Sequence, residues 1–326
     1  MSLLRHKLFL AVSLAHFIID VFSNMGSVLV TYLSIPMALS DSQVGRAIGT
    51  YQLIAATTQP FFGWLSDKMG SRWLGSLSVP WTVTFLALAV LVGQTTNNFY
   101  LFMILFSLGA VGSGAFHPQG AMHAATSFTR RAATATAIFF LFGQAGLAGG
   151  PLIAGLLLDH VGPAGVYVLA CLSIPLLLYI GYAMRGATDH QPAATASRPD
   201  QQPLIPATRV RWGAIGLLAL LIGLRSWAFL GTVSFLPRLF QTLGWTPTSY
   251  GAITRIFWLA SAVTGVLAGN LADRWGRRQI VFITLLVGSG PLYFMPLTDS
   301  WLAFLLAIVG GGLLGASHSI VIVIAQ

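Results

Sequence analysis

Three polar side chains interrupt an apolar run near the start of the chain: His16 and Asp20 in Leu14-Ala-His16-Phe-Ile-Ile-Asp20, and Asn24 four residues further on. Their spacing of four places all three on one face of a helix. Counted from residue 8, Asp20 lies about 18 Å along that helix at 1.5 Å per residue. In a bilayer this is close to the midplane, where a lone carboxylate must face a cavity or a partner, or keep its proton. That is the chemistry of a proton carrier, with His16 placed to relay. A structural tie to a neighbouring helix is the alternative. Arg225 lies about 20 Å into another apolar run, too deep for its head to reach water along its stem. A guanidinium there can hold a carboxylate or phosphonate through two parallel hydrogen bonds, or pair with Asp20. His117 precedes Pro118, whose missing N–H frees a carbonyl in the helix. Arg225, His117, Asn24 and Gln144 are the candidate cavity residues, and His123 and His318 read as packing residues. The histidines are scattered over different runs without a metal-ligand spacing, and no nucleophile–base–orienter set is present. Neither a metal site nor an enzyme is expected.

The elements that must position these residues follow from composition. Of 326 residues, 56% are apolar and 8% charged, against roughly 25% charged in a soluble domain. A soluble globular chain is excluded, and so is a disordered one. Mostly apolar runs occupy approximately 8–31, 44–65, 73–92, 99–125, 132–158, 161–184, 212–236, 249–271, 279–297 and 301–326. Each is long enough as a helix to cross about 30 Å of hydrocarbon. None alternates as barrel strands do. The expectation is an all-α polytopic membrane protein.

Charge sets the orientation. There are 17 Lys and Arg against 8 acids, all of them Asp. With the N-terminus in the cytoplasm, Arg5, Lys7, Lys68, Arg72, Arg130, Arg131, Arg185, Arg198, Arg209, Arg211, Arg274, Arg277 and Arg278 fall inside. Only Arg46 and Arg238 fall outside. This is a positive-inside bias, so the basic excess reports topology and nucleic acid is not a partner. Both termini are expected in the cytoplasm of a multi-pass inner-membrane protein, with the lipid bilayer as partner. The first run is long, carries His16 and Asp20, and lacks a small-x-small cleavage site, so it is a helix rather than a signal peptide. The single Cys171 excludes an internal disulfide and reads as a small buried residue in the sixth run. A Pro-, Ala-, Thr- and Gln-rich stretch at 185–211 reads as a solvated linker. It divides a six-helix bundle at 1–184 from an incomplete four-helix bundle at 212–326.

The two sides repeat each other. Gly63-Trp-Leu-Ser-Asp67-Lys-Met-Gly70-Ser-Arg72 and Gly269-Asn-Leu-Ala-Asp273-Arg-Trp-Gly276-Arg-Arg278 both read G-x-x-x-D-x-x-G-x-R, 206 residues apart. Gly114-Ala-Phe-His117 is echoed by Gly315-Ala-Ser-His318. Repeated halves in a helical membrane protein mark a secondary transporter with its site between two bundles. The doubled loop motif resembles the major facilitator superfamily over the whole chain. Within it, the stretches around His16–Asp20, Gly112–Pro118, Gly143–Gly146 and Leu224-Arg225 resemble the fosmidomycin-resistance group of exporters. Against that group, an acidic residue is missing near Gln119 and a basic one near Met122. The resemblance implies twelve helices, and this chain stops at its tenth. It also implies that Asp67 would face the absent eleventh helix, while Asp273 would meet the fifth near Arg131.

Physically, a carboxylate at a helix end can face the positive N-terminus of a helix in the other bundle, and the glycines allow tight turns and close approach. Gly63, Asp67, Gly70 and Arg72, with Gly269, Asp273, Gly276 and Arg278, are therefore expected as gate latches. A plain solvated loop is the alternative. In span five, Gly146, Gly150, Pro151 and Gly155 form a close-packing stripe with a bend. It resembles the antiporter motif of drug–proton exchangers, with Ala154 in place of one glycine.

Together these residues read as a proton-coupled exporter of a small drug or metabolite, in one version anionic. It would be driven by the proton gradient without a cofactor, since no P-loop pattern is present. A proton-linked importer remains open, as does a non-transporting remnant or one part of a split transporter completed by a two-helix segment. On the missing-helix reading, polar faces at 310–312 and 317–319 should be left exposed. Single cysteines placed in the 185–211 linker should resist labelling from outside intact cells, and strong labelling would overturn the topology.

Overall fold

The computed structural model describes residues 5–128, 131–185, 212–298 and 301–325. Over those residues every expected run is a helix. In chain order they are α1 Lys7–Leu33, α2 Asp41–Met69, α3 Arg72–Thr95, α4 Phe99–Thr126, α5 Ala132–His160, α6 Ala164–Met184, α7 Trp212–Thr242, α8 Pro247–Trp275, α9 Arg277–Phe294 and α10 Trp301–Ala325. Eight are long and apolar enough to cross a bilayer. The helix α2 has the length, but Tyr51, Gln52, Thr57, Thr58 and Gln59 thin its apolar middle. The helix α10 is apolar over Trp301–Ser317. Residues 186–211, nearly the whole expected linker, lie outside the described residues, as do the side chains of His318 and Ser319.

Capping fixes several helix starts. Ser40 accepts from the Gln43 N–H while the Gln43 side chain accepts from the Ser40 N–H, a reciprocal box at the head of α2. The two loop motifs end their helices identically. Gly70 closes α2 at φ 85° and Gly276 closes α8 at φ 99°, a left-handed region that only glycine enters without strain. The second glycine of each motif is therefore a helix stop. The first is different from expectation in this conformation: a Cβ at Gly63 would make only ordinary contact and one at Gly269 would meet nothing.

Helix α1 is the hub of the first half, packing most extensively on α5 and also on α3, α4 and α6. A Cβ at Gly146 would fall 2.4 Å from the Phe17 carbonyl oxygen, and one at Gly150 2.4 Å from that of Val21. The expected stripe thus lets α5 lie backbone against backbone on α1. Its last member turns to the second half, where a Cβ at Gly155 would lie 2.3 Å from the Pro247 carbonyl oxygen. Reciprocally, a Cβ at Gly251 of α8 would lie 2.3 Å from the Pro151 carbonyl oxygen. In the second half α10 packs on α8 and α9.

Hydrogen bonds between the halves gather at one end. At the closed end Arg238 bonds Asp41 and Ser34, each at 2.8 Å, and Gln241 donates to the Thr31 carbonyl at 2.8 Å. There the Asp159 carboxylate accepts from the Thr248 N–H at 2.7 Å, satisfying an orphan donor at the start of α8. At the opposite end Asp67 and Asp273 are exposed, and neither forms an ion pair among the described residues.

Two sequence expectations change here. Cys171 is exposed on α6 rather than buried, because that position points away from the α1 hub. The glycines Gly310, Gly311 and Gly312 are buried, not stranded, because α10 turns that face onto Leu292 of α9 and Phe257 and Thr264 of α8.

The α5–α8 contact has no side chain that can yield. Gly251→Val is expected to destabilise the protein by about 1–3 kcal/mol, read as a lower melting temperature in detergent. Gly265→Ala, on the same helix but beside open space, should leave it unchanged or raise it.

Candidate functional site

Asp20 is the fourteenth of the 27 residues of α1 and is 4% exposed. One helical turn before it, His16 is 3% exposed and places Nε2 3.2 Å from Asp20 Oδ2. The expected shared face is present. A third group joins from α4, where His117 Nε2 lies 3.3 Å from Asp20 Oδ1. Each imidazole is held from behind by a backbone carbonyl. His16 Nδ1 donates to Phe139 O at 2.9 Å, and His117 Nδ1 donates to Ser113 O at 2.7 Å. The His16 ring also stacks on Phe139, with centroids 4.1 Å apart, and stands edge-on to His117 at 5.2 Å.

Space for this cluster comes from a glycine. A Cβ at Gly143 would fall 2.4 Å from the His16 ring and 2.9 Å from Asp20 Oδ2. The donor atoms of His16, Asp20 and His117 all lie within 4.8 Å of one another, so the fold gathers histidines that the sequence scatters. Direct nitrogen–carboxylate contacts of 3.2 and 3.3 Å join both imidazoles to the one carboxylate.

Asp20 and His117 form part of the wall of a cavity of about 310 Å³. Its other walls are Ser23 and Asn24 of α1, Tyr51, Gln52 and Gln59 of α2, Phe106 and Ser113 of α4, Leu147 of α5, Leu230 and Ser234 of α7 and Trp258 of α8. The amide of Asn24 donates to the Leu147 carbonyl, and Tyr51 donates to Ser23 at 3.0 Å. Gln52 bonds Ser234 at 2.7 Å, closing the cavity between the two halves.

Of the expected residues, Asp20, His117 and Asn24 line the cavity and His16 stands behind Asp20. Arg225 does not join them. Its guanidinium lies over the Phe229 ring at 4.9 Å and donates to Ser317 Oγ at 3.1 Å and to the Leu314 carbonyl at 3.2 Å. With Asp20 already bridged by two imidazoles, the deep guanidinium is satisfied by α10 instead. Gln144 is exposed on α5, outside the lining. Tyr51, Gln52, Gln59 and Trp258 were not anticipated. The signal for the first three was their place in an apolar run, with Gln52 and Gln59 seven apart on one helical face.

The model of the Major Facilitator Superfamily matches residues 9–325. The chain belongs to that superfamily. It is 25% identical over 324 residues to the fosmidomycin resistance protein of Escherichia coli K12, covering 97% of this chain and 77% of that protein. It is also 25% identical over 332 residues to the uncharacterized MFS-type transporter YfnC of Bacillus subtilis 168, covering 98% and 78%. Among solved structures, a bacterial homologue of the human lysosomal transporter Spinster, inward-facing and unoccupied, superposes with a TM-score of 0.76 at 17% identity. That match covers 97% of this chain and 75% of the other. The D-xylose–proton symporter follows at 0.70 and 16%, covering 96% and 81%. As a Major Facilitator Superfamily member, this chain is a secondary transporter, and a cavity between its halves is where such a protein binds its cargo.

Because Gly143 makes room for His16 and Asp20 without touching the cargo space, it separates geometry from charge. Gly143→Ala is expected to lower proton-driven transport on the order of tenfold to a hundredfold by displacing the pair. The protein should still run as a single species on size exclusion, and unchanged transport would show that the close contact is not needed.

Proposed function

We propose that this chain exports a small drug or metabolite across the inner membrane in exchange for protons, with Asp20 as the central carrier. The observation that carries this reading is the bridging of one buried carboxylate by two imidazoles in the wall of the inter-half cavity. A buried carboxylate whose partners are themselves titratable changes charge as protons come and go. The cavity is at the small end of ligand pockets, roughly 300–1,000 Å³, and its amides, hydroxyls and aromatic faces suit a compact polar molecule. Export rather than import is supported by the name of the Escherichia coli relative and by the small-residue stripe of α5.

Orientation follows from the basic loops. With the termini and linker in the cytoplasm, the end joined by Arg238–Asp41 and Asp159–Thr248 faces outward. The end where Asp67 and Asp273 are exposed then faces inward, and this reading makes the conformation inward-open. Asp67 and Asp273 are then gate latches seen apart, each to meet a helix end of the opposite half when the cytoplasmic side shuts.

The test is transport in proteoliposomes under an imposed pH gradient, with a panel of small antibacterial drugs beginning with fosmidomycin. Asp20→Asn is expected to abolish uphill, proton-driven movement while leaving downhill exchange of the same compound. If Asp20→Asn still drives uphill transport, Asp20 is not the carrier. Aggregation of that variant in detergent would place Asp20 among the structural residues.

A further inference from the structure

We infer that His16, Asp20 and His117 form a single site for two protons, both bound in the conformation described. This rests on the transport reading above only for its place in a cycle; the proton count stands on bonding alone.

The argument starts from the backs of the rings. Phe139 O and Ser113 O are carbonyl oxygens and can only accept. The Nδ1 atoms of His16 and His117, at 2.9 and 2.7 Å from them, must therefore each carry a hydrogen. In a neutral imidazole the other nitrogen is then a bare acceptor. Yet both Nε2 atoms lie against Asp20, His16 at 3.2 Å from Oδ2 and His117 at 3.3 Å from Oδ1. With neutral rings and an ionised carboxylate, both contacts would set lone pair against lone pair in a buried site. Each becomes a hydrogen bond only with a proton between the two atoms. There are two contacts on two different oxygens, so two protons are needed.

Whether a given proton rests on nitrogen or on oxygen does not alter the count. The site runs from a net charge of −1 with no added proton to +1 with two, each added proton forming one N–H or O–H bond at the site and breaking one O–H bond of the hydronium that delivers it. Protons come from and return to water through the cavity, which reaches His117 directly. The His117 side chain is 26% exposed, against 4% for His16, so His16 exchanges by way of Asp20.

The groups that face the cluster do not blunt this swing. From α2, Tyr51 lines the same cavity and donates to Ser23. From α5, the neighbours are the Phe139 and Leu147 carbonyls and Gly143. From α7 and α8 the cavity receives Leu230, Val233, Ser234 and Trp258. No lysine or arginine is among the lining residues, and Arg225 is engaged with α10.

The experiment counts protons on the full purified chain in detergent, by potentiometric titration in weak buffer from alkaline pH down to a mildly acid pH above the range in which an ordinary carboxylate takes its proton. The reference is the His16→Gln, Asp20→Asn, His117→Gln triple variant, which removes the titratable cluster and leaves the other five histidines. Wild type is expected to take up two protons more than the reference. His117→Gln gives Asp20 a permanent amide donor, and its excess should fall to one. A wild-type excess of one, or an excess in His117→Gln that stays at two, overturns the inference. Should the variants lose their fold, proton NMR of the wild type decides. Two hydrogen-bonded imidazole resonances that appear in acid and vanish together in alkali support the paired site, and a single one overturns it. A count of two without proton-driven transport would sink the exporter reading and leave this one standing. Proton-driven transport with a count of one would do the reverse.

Discussion

A carboxylate at the middle of a membrane helix cannot be left alone, and the architecture around α1 follows from that constraint. Removing an ion from water costs several kcal/mol even after relaxation, so Asp20 needs partners at once close, polar and buried. Both its oxygens are taken, one by a histidine of its own helix and one by a histidine of α4. To admit those rings, α5 gives up its side chain at Gly143 and lends the Phe139 carbonyl to His16. Three helices are thereby committed to one point. The glycines at 146 and 150 extend the same close approach of α5 along α1, and the packing of the first half grows outward from that seam.

The second half uses similar physics for a different end. Arg225, as deep as Asp20, is satisfied by a hydroxyl and a backbone carbonyl of α10 and by the face of Phe229. A guanidinium has donors for several carbonyls at once, so it needs no carboxylate. This separates the two deep charges that sequence spacing alone left free to pair. The cavity is consequently left with the triad as its ionisable element, beside amides, hydroxyls and aromatic rings.

Helix count and most helix limits were legible because hydrophobic run length is a strong, local signal. The doubled loop motif was legible for the same reason, and its second glycine had a local meaning that the structure bears out in two positive-φ caps, Gly70 and Gly276. The His16–Asp20 pair was legible because four residues make a helical turn. His117 as its partner, Gln52 across from Ser234 and Asp159 on the Thr248 N–H were not, since each joins residues 89 to 182 positions apart in contacts that no periodicity encodes. Arg225 shows the complementary limit. Depth could be read from the sequence, whereas the direction of the side chain depended on which neighbour was already satisfied. Cys171 shows it again, because an apolar run says which residues are in the membrane but not which of them face the protein.

The His16–Asp20–His117 cluster and the closed end share their two principal helices. Helix α1 carries Asp20 and, eleven residues or about 17 Å further along, Thr31, whose carbonyl accepts from Gln241 of α7. Helix α5 carries Gly143 beside the triad and, about 18 and 24 Å further along, Gly155 and Asp159, which engage α8. Both helices are continuous between these points, with the bend-forming Pro151 lying on α5 between them. A change in the fit of His16 against Gly143 therefore shifts two rigid rods whose far ends hold the halves together. Coupling of this kind needs only elements that transmit displacement and contacts with two discrete arrangements. The backbone-on-backbone contact at Gly155 and Gly251 is such a contact: it has no side chain to absorb a shift, so it is either made or broken. The triad at the centre and the contacts at the closed end are thus linked through the seam between α1 and α5, without any side chain spanning the distance.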